Sequence, residues 1–182
     1  DASLLMAAYN LALARKQNLD VCALCSSCTS ALSEAAHHLS ENEEDLAKVN
    51  ERLSAVGLQY EGSPKIRHFA RVLFEEVGAE EIQKHLEKDL SGLNIATHYG
   101  CHYLKPSEIH DGFDDPENPN SLETLVALTG ATIIDYPGKM TCCGGPVLPV
   151  DEKLAASVTK GKLDNLKAAG ADALCLVCPF CS

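Results

Sequence analysis

Hydrophobic residues recur along this 182-residue chain with two spacings, one typical of amphipathic helices and one of short buried strands. The first segment has the helical spacing, with Leu4, Leu5, Ala8, Leu11 and Ala12 on one side. Helices are predicted over 1–17, 29–39, 41–55, 64–77, 79–89, 121–128 and 151–169, and strands over 19–24, 93–98, 131–135 and 171–177. Because helices and strands alternate, the sequence predicts an α/β fold with a mainly parallel sheet.

Two helix starts are predicted from the chemistry of their first turns. Ser40 and Glu43 have the spacing of a capping box, which predicts that the helix over 41–55 begins there. Pro64 suits the first turn of a helix, because the amide hydrogen that it lacks has no partner there. The next helix is therefore predicted to begin at Pro64.

The same order of elements occurs twice: a helix, a strand and a turn that carries three cysteines. The cysteines of the two turns are Cys22, Cys25 and Cys28 in CALCSSC, and Cys175, Cys178 and Cys181 in CLVCPFC. A repeat of this kind predicts two pseudo-symmetric units. We therefore divide the chain into the end of a first repeat (1–39), a helical insert (40–90) and a second repeat (91–182).

The repeat also leads to an expectation about residues outside the chain. The second copy carries an adjacent cysteine pair 35 positions before Cys178, so the first copy should carry one upstream of Asp1. Further residues are likewise expected after Ser182, because the first copy continues from Cys28 into a helix.

Composition and charge exclude several classes of protein. Nine cysteines, an odd number, grouped as CC and CxxC in a chain of this length are not typical of a secreted disulfide scaffold. The net charge of −11 argues against nucleic-acid binding. The longest apolar stretch, 4–14, is too short to span a bilayer. A reducing, cytoplasmic setting with metal-bound thiolates is expected.

Five cysteines of the second repeat are candidate metal ligands. They are Cys101, the adjacent pair Cys142 and Cys143, and the CxxC pair Cys178 and Cys181. Adjacent thiolates point apart and suit a centre with several metal atoms, and five sulfurs are one more than a tetrahedral zinc or a cubane cluster needs. Gly144 and Gly145 let the backbone approach a bulky cluster and donate amide hydrogens to it. An unusual iron–sulfur centre is favoured, and a structural zinc site is the alternative.

The first repeat offers a smaller set of sulfurs. Cys25 and Cys28 correspond to Cys178 and Cys181, so they are predicted to be part of a second metal site whose other ligands are absent from this chain. Cys22 and Cys175 lie within predicted strands and are interpreted as small buried hydrophobic residues. A role for these two as alternative ligands stays open.

Several basic residues are candidates for catalysis near the cysteines. His98 and His102 flank Cys101 and could deliver a proton to a leaving thiolate, or hydrogen-bond to cluster sulfur or backbone. Lys139 could balance thiolate charge, hold an anionic substrate or simply be solvated. The remaining histidines are predicted to lie on helices and loops: His37, His38, His68, His85 and His110.

The motifs HYGCHYLKPS, DDPENPNSLETLVALTGATIIDYPGKMTCCGGP and CPFC resemble those of the heterodisulfide reductase B subunits, a CCG-domain family, and the resemblance covers essentially the whole chain. It implies noncubane [4Fe-4S] clusters. One would be held by the five cysteines of the second repeat, and the other by Cys25, Cys28 and upstream ligands. It also implies that the heterodisulfide of coenzymes M and B binds between the clusters and receives one electron at each sulfur.

The resemblance further implies partners in a multi-subunit complex. Electrons would arrive from a subunit with cubane iron–sulfur clusters, itself supplied by a flavin-containing subunit. Two other functions remain open: an electron-transfer subunit of another CCG-domain oxidoreductase, of the glycolate, lactate or succinate type, and a zinc-stabilised interaction module.

Overall fold

A computed structural model describes residues 2–182. Asp1, the first residue of the predicted amino-terminal helix, lies outside the described part. The elements in chain order are α1 (Ala2–Lys16), β1 (Val21–Ala23), α2 (Ser26–Glu41), α3 (Glu43–Ser54), β2 (Ile66–His68), α4 (Phe69–Val72), α5 (Ala79–Lys84), β3 (Asn94–His98), α6 (Ser121–Ala127), β4 (Thr132–Ile133), α7 (Glu152–Ala168) and β5 (Ala173–Leu176). A π-helical turn, Leu73–Val77, continues α4.

The strands form two small sheets, and the strand pairs in both are parallel. In the first sheet β1 pairs with β2, and in the second β3 lies between β4 and β5. The register places Cys22 opposite Arg67, and Thr97 opposite Cys175. The predicted α/β fold with parallel strands is confirmed, with its strands divided between two sheets.

Each sheet is supported by its own hydrophobic core. The amino-terminal core contains the buried side of α1, where Ala8, Leu11 and Ala12 are buried and the partly buried Leu4 and Leu5 pack against them. This confirms the apolar face predicted for the first helix. The carboxy-terminal core surrounds three buried aromatic rings, those of Tyr99, Tyr103 and Phe113.

The helix predicted to start at Pro64 begins five residues later. Residues 66–68 instead form β2, and Ile66 pairs with Val21 of β1. The helix starts at Phe69, where Nδ1 of His68 accepts a hydrogen bond from the Ala70 amide at 3.1 Å. The local spacing of apolar residues predicts Ile66 on the apolar face of a helix. Pairing with a distant strand determines the structure of this segment instead.

The predicted capping box of α3 is also wrong. Ser40 lies within the last turn of α2, where its hydroxyl donates to the carbonyl of His37. The cap of α3 is Asn42, whose side-chain oxygen accepts from the Asp45 amide at 3.0 Å. Several other elements are shorter than predicted; α5 ends at Lys84, β1 contains only three residues and β4 only two.

The two sheets meet around Val177, next to Cys178. Nε2 of His68 donates to the Val177 carbonyl at 2.8 Å, because Nδ1 of the same ring already accepts from the Ala70 amide. The Ser26 amide at the start of α2 donates to the same carbonyl at 3.3 Å. Within residues 2–182, no helix has both the length and the apolar character needed to cross a membrane.

Candidate metal centre

The carboxyl ends of two neighbouring strands deliver cysteines to the same edge of the second sheet. Strand β3 ends at His98, three residues before Cys101, and β5 ends at Leu176, two residues before Cys178. Gly100 has a φ of 69°, and a Cβ added there would lie 3.8 Å from Sγ of Cys181. Because adjacent parallel strands end at one edge, the loops that follow them converge.

Sulfur atoms from both repeats meet at this edge. Sγ of Cys25 lies 3.8 Å from Sγ of Cys178. Burial raises the pKa of Cys101, and the nearby Cys142, Cys143 and Cys178 raise it further. Burial likewise raises the pKa of Cys181, whose thiol contacts those of Cys143 and Cys178.

The thiol of Cys178 lies at the amino-terminal end of α2, an element of the other repeat. Burial alone would raise its pKa, but hydrogen bonds from the side chains of Ser26 and Ser27 and from the amides of Ser27 and Phe180 lower it to about 6. The Ser27 hydroxyl is 3.6 Å from the sulfur. Serine hydroxyls and helix amides therefore favour a thiolate at Cys178.

The two glycines after the cysteine pair direct amide hydrogens at sulfur. The Gly144 amide donates to Sγ of Cys142, and the Gly145 amide donates to Sγ of Cys143, each at 3.3 Å. A Cβ added at Gly144 would lie 2.7 Å from the Ala155 carbonyl oxygen, and one at Gly145 would lie 2.8 Å from that of Phe180. Only glycine fits these positions without displacing backbone.

A buried lysine that the sequence did not single out lies behind the cysteine loop. The ammonium of Lys162 donates to the carbonyls of Gly138 at 2.8 Å and Lys139 at 3.2 Å. Burial lowers the pKa of Lys162, and the nearby Cys143, Cys142 and Cys181 partly reverse that effect. Its position suits compensation of the negative charge of the thiolates. The sequence could not identify it, because a lysine on a predicted helix is indistinguishable by pattern from one exposed to solvent.

The three basic residues singled out in the sequence have different surroundings. His98 is buried, and Nδ1 of its ring donates to the Lys139 carbonyl at 3.2 Å. His102 donates from Nδ1 to the Ser30 hydroxyl at 3.3 Å, because the Ser30 hydrogen is directed to Glu34 at 2.7 Å. The ammonium of Lys139 pairs with Glu123 at 2.9 Å.

Other expectations about single residues have mixed outcomes. Cys22 is exposed, which corrects its interpretation as a buried residue, whereas Cys175 is half-buried and packs against the carboxy-terminal core in agreement with its interpretation. His68 lies in strand β2 and not on a helix or loop, whereas His110 lies in a short helical turn, and both are buried. Cys28 is exposed and hydrogen-bonds to Cys25, beside the sulfurs of the second repeat. The serines of CSSC could have been identified from the sequence, since hydroxyls that start a helix after a cysteine suit thiolate binding.

The donor atoms at this edge fit a metal or iron–sulfur centre. Thiols from three chain segments converge there, and backbone amides already point at the sulfurs of Cys142 and Cys143. Such N–H···S contacts stabilise thiolate ligands and tune the metal that they bind.

Comparison with known proteins gives a family match over the part of the chain that contains the second-repeat cysteines. Residues 95–182 match the CCG cysteine-rich domain family. The chain is 37% identical over 179 residues to a heterodisulfide reductase B-subunit-like protein of Archaeoglobus profundus, covering 97% of this chain and 60% of the relative. It is 36% identical over 182 residues to the B subunit of a ferredoxin:CoB-CoM heterodisulfide reductase of Methanosarcina mazei, covering 98% and 59%.

A third relative carries a different name. The 8-methylmenaquinol:fumarate reductase membrane anchor subunit of Wolinella succinogenes is 35% identical over 182 residues, covering 99% of this chain and 62% of the relative. The chain thus spans about three fifths of the length of these relatives.

A solved structure has the same fold. The crystal structure of a hypothetical protein from Helicobacter pylori superposes with a TM-score of 0.74 at 18% identity, covering 98% of this chain and 31% of that one. The domain match over residues 95–182 and the similarity over nearly the whole chain place this chain in the cysteine-rich CCG-domain family, among the relatives of the heterodisulfide reductase B subunits.

Proposed function

We propose that this chain acts in the catalytic B subunit of a heterodisulfide reductase, which reduces the disulfide between coenzymes M and B to two thiols. The observation that carries the proposal is the convergence of the second-repeat cysteines on one sheet edge, with Cys25 of the first repeat 3.8 Å from Cys178. The similarity to reductase B subunits over nearly the whole chain supports it.

The cysteines would hold two noncubane [4Fe-4S] clusters. Cys101, Cys142, Cys143, Cys178 and Cys181 are assigned to one, and Cys25 and Cys28 are assigned to the other. When bound, such clusters supply single electrons to a disulfide. The amides of Gly144 and Gly145 hold the sulfurs of the cysteine pair in place, and Lys162 offsets thiolate charge.

Reduction of a disulfide to thiols also needs protons, and His102 is the side chain best placed to provide one. Its ring lines the small cavity next to Cys101. Since Nδ1 keeps its hydrogen in the bond to Ser30, Nε2 is the nitrogen that would take up a proton from solvent and then pass it to a leaving thiolate. A role for Lys139 in holding an anionic substrate stays a prediction, because its ammonium is paired with Glu123.

In the complex, electrons would come from a cubane iron–sulfur subunit and a flavin-containing subunit. A second candidate function is electron transfer without disulfide chemistry. It is favoured by one specific observation, the 35% identity to a subunit of a fumarate reductase. In that case the same cysteines would hold a relay centre and no disulfide would bind.

Two measurements on anaerobically purified protein test these candidates. Iron and acid-labile sulfide in equal amounts, with little zinc, are expected for either iron–sulfur function, whereas zinc alone would exclude both. Addition of the coenzyme M–coenzyme B heterodisulfide to the oxidised protein should then produce a new paramagnetic signal. Silence in that second experiment would exclude the reductase and leave the electron-transfer function.

Cysteine variants test the assignment of ligands. Cys143→Ala should lower the iron content because Cys143 is an assigned ligand. Cys175→Ala should leave it nearly unchanged, since Cys175 lines an apolar groove away from the converging sulfurs. An equal loss of iron in the two variants would contradict the assignment.

A further inference from the structure

The carboxylate of Glu123 in α6 accepts hydrogen bonds from two separate segments of the chain. Oγ1 of Thr97 donates to Oε1 at 2.9 Å, and the Tyr99 hydroxyl donates to Oε2. Nζ of Lys139 also donates to Oε1, at 2.9 Å. Thr97 and Tyr99 belong to β3 and the turn after it, whereas Lys139 lies in the loop 134–143 that follows β4. One side chain therefore links that loop to β3.

The surroundings make this link stronger than an ion pair on the surface. Thr97 and Tyr99 are buried, and the side chains of Glu123 and Lys139 are only 17% and 19% exposed. Few water molecules compete for the donors there, and a charge-assisted hydrogen bond is stronger where the dielectric constant is lower. The other carboxylate near Lys139, that of Asp135, lies 3.7 Å from Nζ and is 86% exposed. Glu123 is therefore the main partner of Lys139.

Both linked segments lead to cysteines of the candidate metal centre. Tyr99 lies two residues before Cys101, and Lys139 lies three residues before Cys142. The position of the cysteine pair relative to Cys101 therefore depends on how the loop 134–143 is attached to β3.

The backbone of Lys139 is fixed in addition to its side chain. Its carbonyl accepts from Nδ1 of His98 and from Nζ of Lys162, each at 3.2 Å. The ammonium bond to Glu123 adds a second point of attachment. A loop that is held at two points has less conformational freedom to lose when its cysteines bind a metal, which favours binding.

We propose that Glu123 is a positioning residue of the candidate metal centre, which fixes Lys139 against β3 and thereby places the cysteine pair relative to Cys101. It acts through the Lys139 ammonium and the two hydroxyls. The identity of the centre rests on the proposed function, whereas the link between the loop and β3 can be tested on the metal-free chain.

Trypsin cleaves after lysine, so cleavage after Lys139 reports directly on the loop that Glu123 holds. Because the side chain and the carbonyl of Lys139 are both bonded, this site is cleaved only when the loop opens. Glu123→Gln keeps the size of the side chain and an acceptor oxygen but removes the charge. In the metal-free, reduced chain it should raise the cleavage rate after Lys139 by about 10-fold, the change expected when one charge-assisted hydrogen bond is lost. Mass spectrometry of the fragments measures this rate.

Cleavage after Lys48 in the same chain separates opening of the loop from unfolding of the whole protein. Lys48 lies within α3, whose buried Val49 and Leu53 belong to the amino-terminal core. Its cleavage rate should be the same in Glu123→Gln as in wild type. Equal acceleration after Lys48 and Lys139 would overturn the proposal, because Glu123 would then stabilise the whole fold and not this loop.

Glu117→Gln is the matched control, since Glu117 also pairs with one lysine, Lys105, at 2.6 Å. Both of its partners are exposed, at 81% and 47%, and exposed ion pairs contribute little to stability. Cleavage after Lys139 should therefore proceed at the wild-type rate in this variant. Equal cleavage rates after Lys139 in Glu123→Gln and Glu117→Gln would also overturn the proposal.

The effect on the centre itself is measured on anaerobically purified protein by electron paramagnetic resonance. Glu123→Gln should broaden or shift the iron–sulfur signal, because ligand geometry and hydrogen bonds to sulfur tune such centres, and Glu117→Gln should not. A wild-type signal and iron content in Glu123→Gln would show that Glu123 does not position the ligands. Zinc in place of iron in the wild-type protein would contradict the proposed function, yet the cleavage rates would still decide the role of Glu123.

Discussion

Gly144 has a backbone conformation and surroundings that exclude a side chain. Its φ is 95°, and an added Cβ would lie 2.7 Å from the Ala155 carbonyl oxygen and 2.9 Å from Oγ1 of Thr159. A non-glycine residue in such a conformation costs about 1–3 kcal/mol. We expect Gly144→Ala to lower the free energy of unfolding by at least this amount, measured by urea denaturation of the metal-free chain.

Gly161→Ala is the matched control for that substitution. Gly161 lies inside α7, and an added Cβ would meet no atom within 4 Å. Alanine is a better helix former than glycine by about 1 kcal/mol, so this variant should be as stable as wild type or slightly more stable. Equal destabilisation by the two substitutions would show that the clash at Gly144 is unimportant.

Lys162 is the second residue whose surroundings lead to a prediction. Its buried ammonium bonds to two carbonyls of the loop before the cysteine pair and lies close enough to Cys143, Cys142 and Cys181 to be influenced by their charge. Lys162→Met should weaken metal binding by about 10- to 100-fold, the usual effect of removing a group that supports metal ligands. Chelator competition measures this change.

Lys160→Met controls for the loss of a positive charge from the same helix. The Lys160 side chain is exposed and pairs with Asp164, so its removal should leave metal affinity unchanged. The assigned role of Lys162 requires that the two variants differ. If the metal affinity of Lys162→Met equals that of Lys160→Met, the buried ammonium does not contribute to metal binding.

At the scale of elements, the junction of α2 and α3 tests which side chain caps the second helix. The side chain of Asn42 accepts from the Asp45 amide at 3.0 Å, whereas the Ser40 hydroxyl is used within α2. Asn42→Ala should therefore reduce stability by about 1 kcal/mol. Ser40→Ala should have a smaller effect on the free energy of unfolding. A larger loss of stability in Ser40→Ala than in Asn42→Ala would support the predicted capping box instead.

Prediction of elements from the sequence succeeded where the local pattern and the tertiary environment agree. Helix α1 buries Ala8, Leu11 and Ala12 as its apolar spacing predicts, because one side of a surface helix packs on a core. The segment at Ile66 is predicted as a helix from its local pattern, but it forms strand β2. Its state depends on Val21, which lies 45 positions earlier in the chain and is invisible to any local pattern.

At the scale of the whole molecule, His68 joins the two sheets. Its ring accepts from the Ala70 amide and donates to the Val177 carbonyl, so both nitrogens are satisfied only when the ring is neutral. Burial lowers the pKa of His68 from its ordinary value of 6.5, more than its hydrogen bonds to carbonyls raise it. Protonation therefore favours the unfolded chain.

The sign of the pH dependence follows from that shift. Below pH 6.5 the unfolded chain takes up a proton at His68 that the folded chain still excludes. Stability contributed by the neutral ring is complete above this pH and declines as the pH falls, by at most about 1.4 kcal/mol per pH unit. Urea denaturation of the metal-free chain between about pH 7.5 and about pH 5.5 measures this decline.

His68→Asn should flatten the pH dependence, since asparagine can still cap α4 but does not titrate. The difference between variant and wild type isolates His68, because both chains share every other titrating group. His85→Asn is the control: its side chain is 76% exposed, and the variant should keep the wild-type slope. A wild-type slope in His68→Asn would contradict the assigned role.

The sequence by itself determined the α/β class, the twofold order of helix, strand and cysteine turn, and the cysteines and glycines of the candidate centre. These features depend on periodicity, spacing and residue chemistry, which are properties of nearby positions. Tertiary structure alone decided that Cys25 meets Cys178, that Ser26 and Ser27 stabilise the Cys178 thiolate, and that Lys162 and the ring of His98 lie close to the sulfurs. Each of these contacts joins distant parts of the chain, so only the packing of the two sheets and their helices could create it.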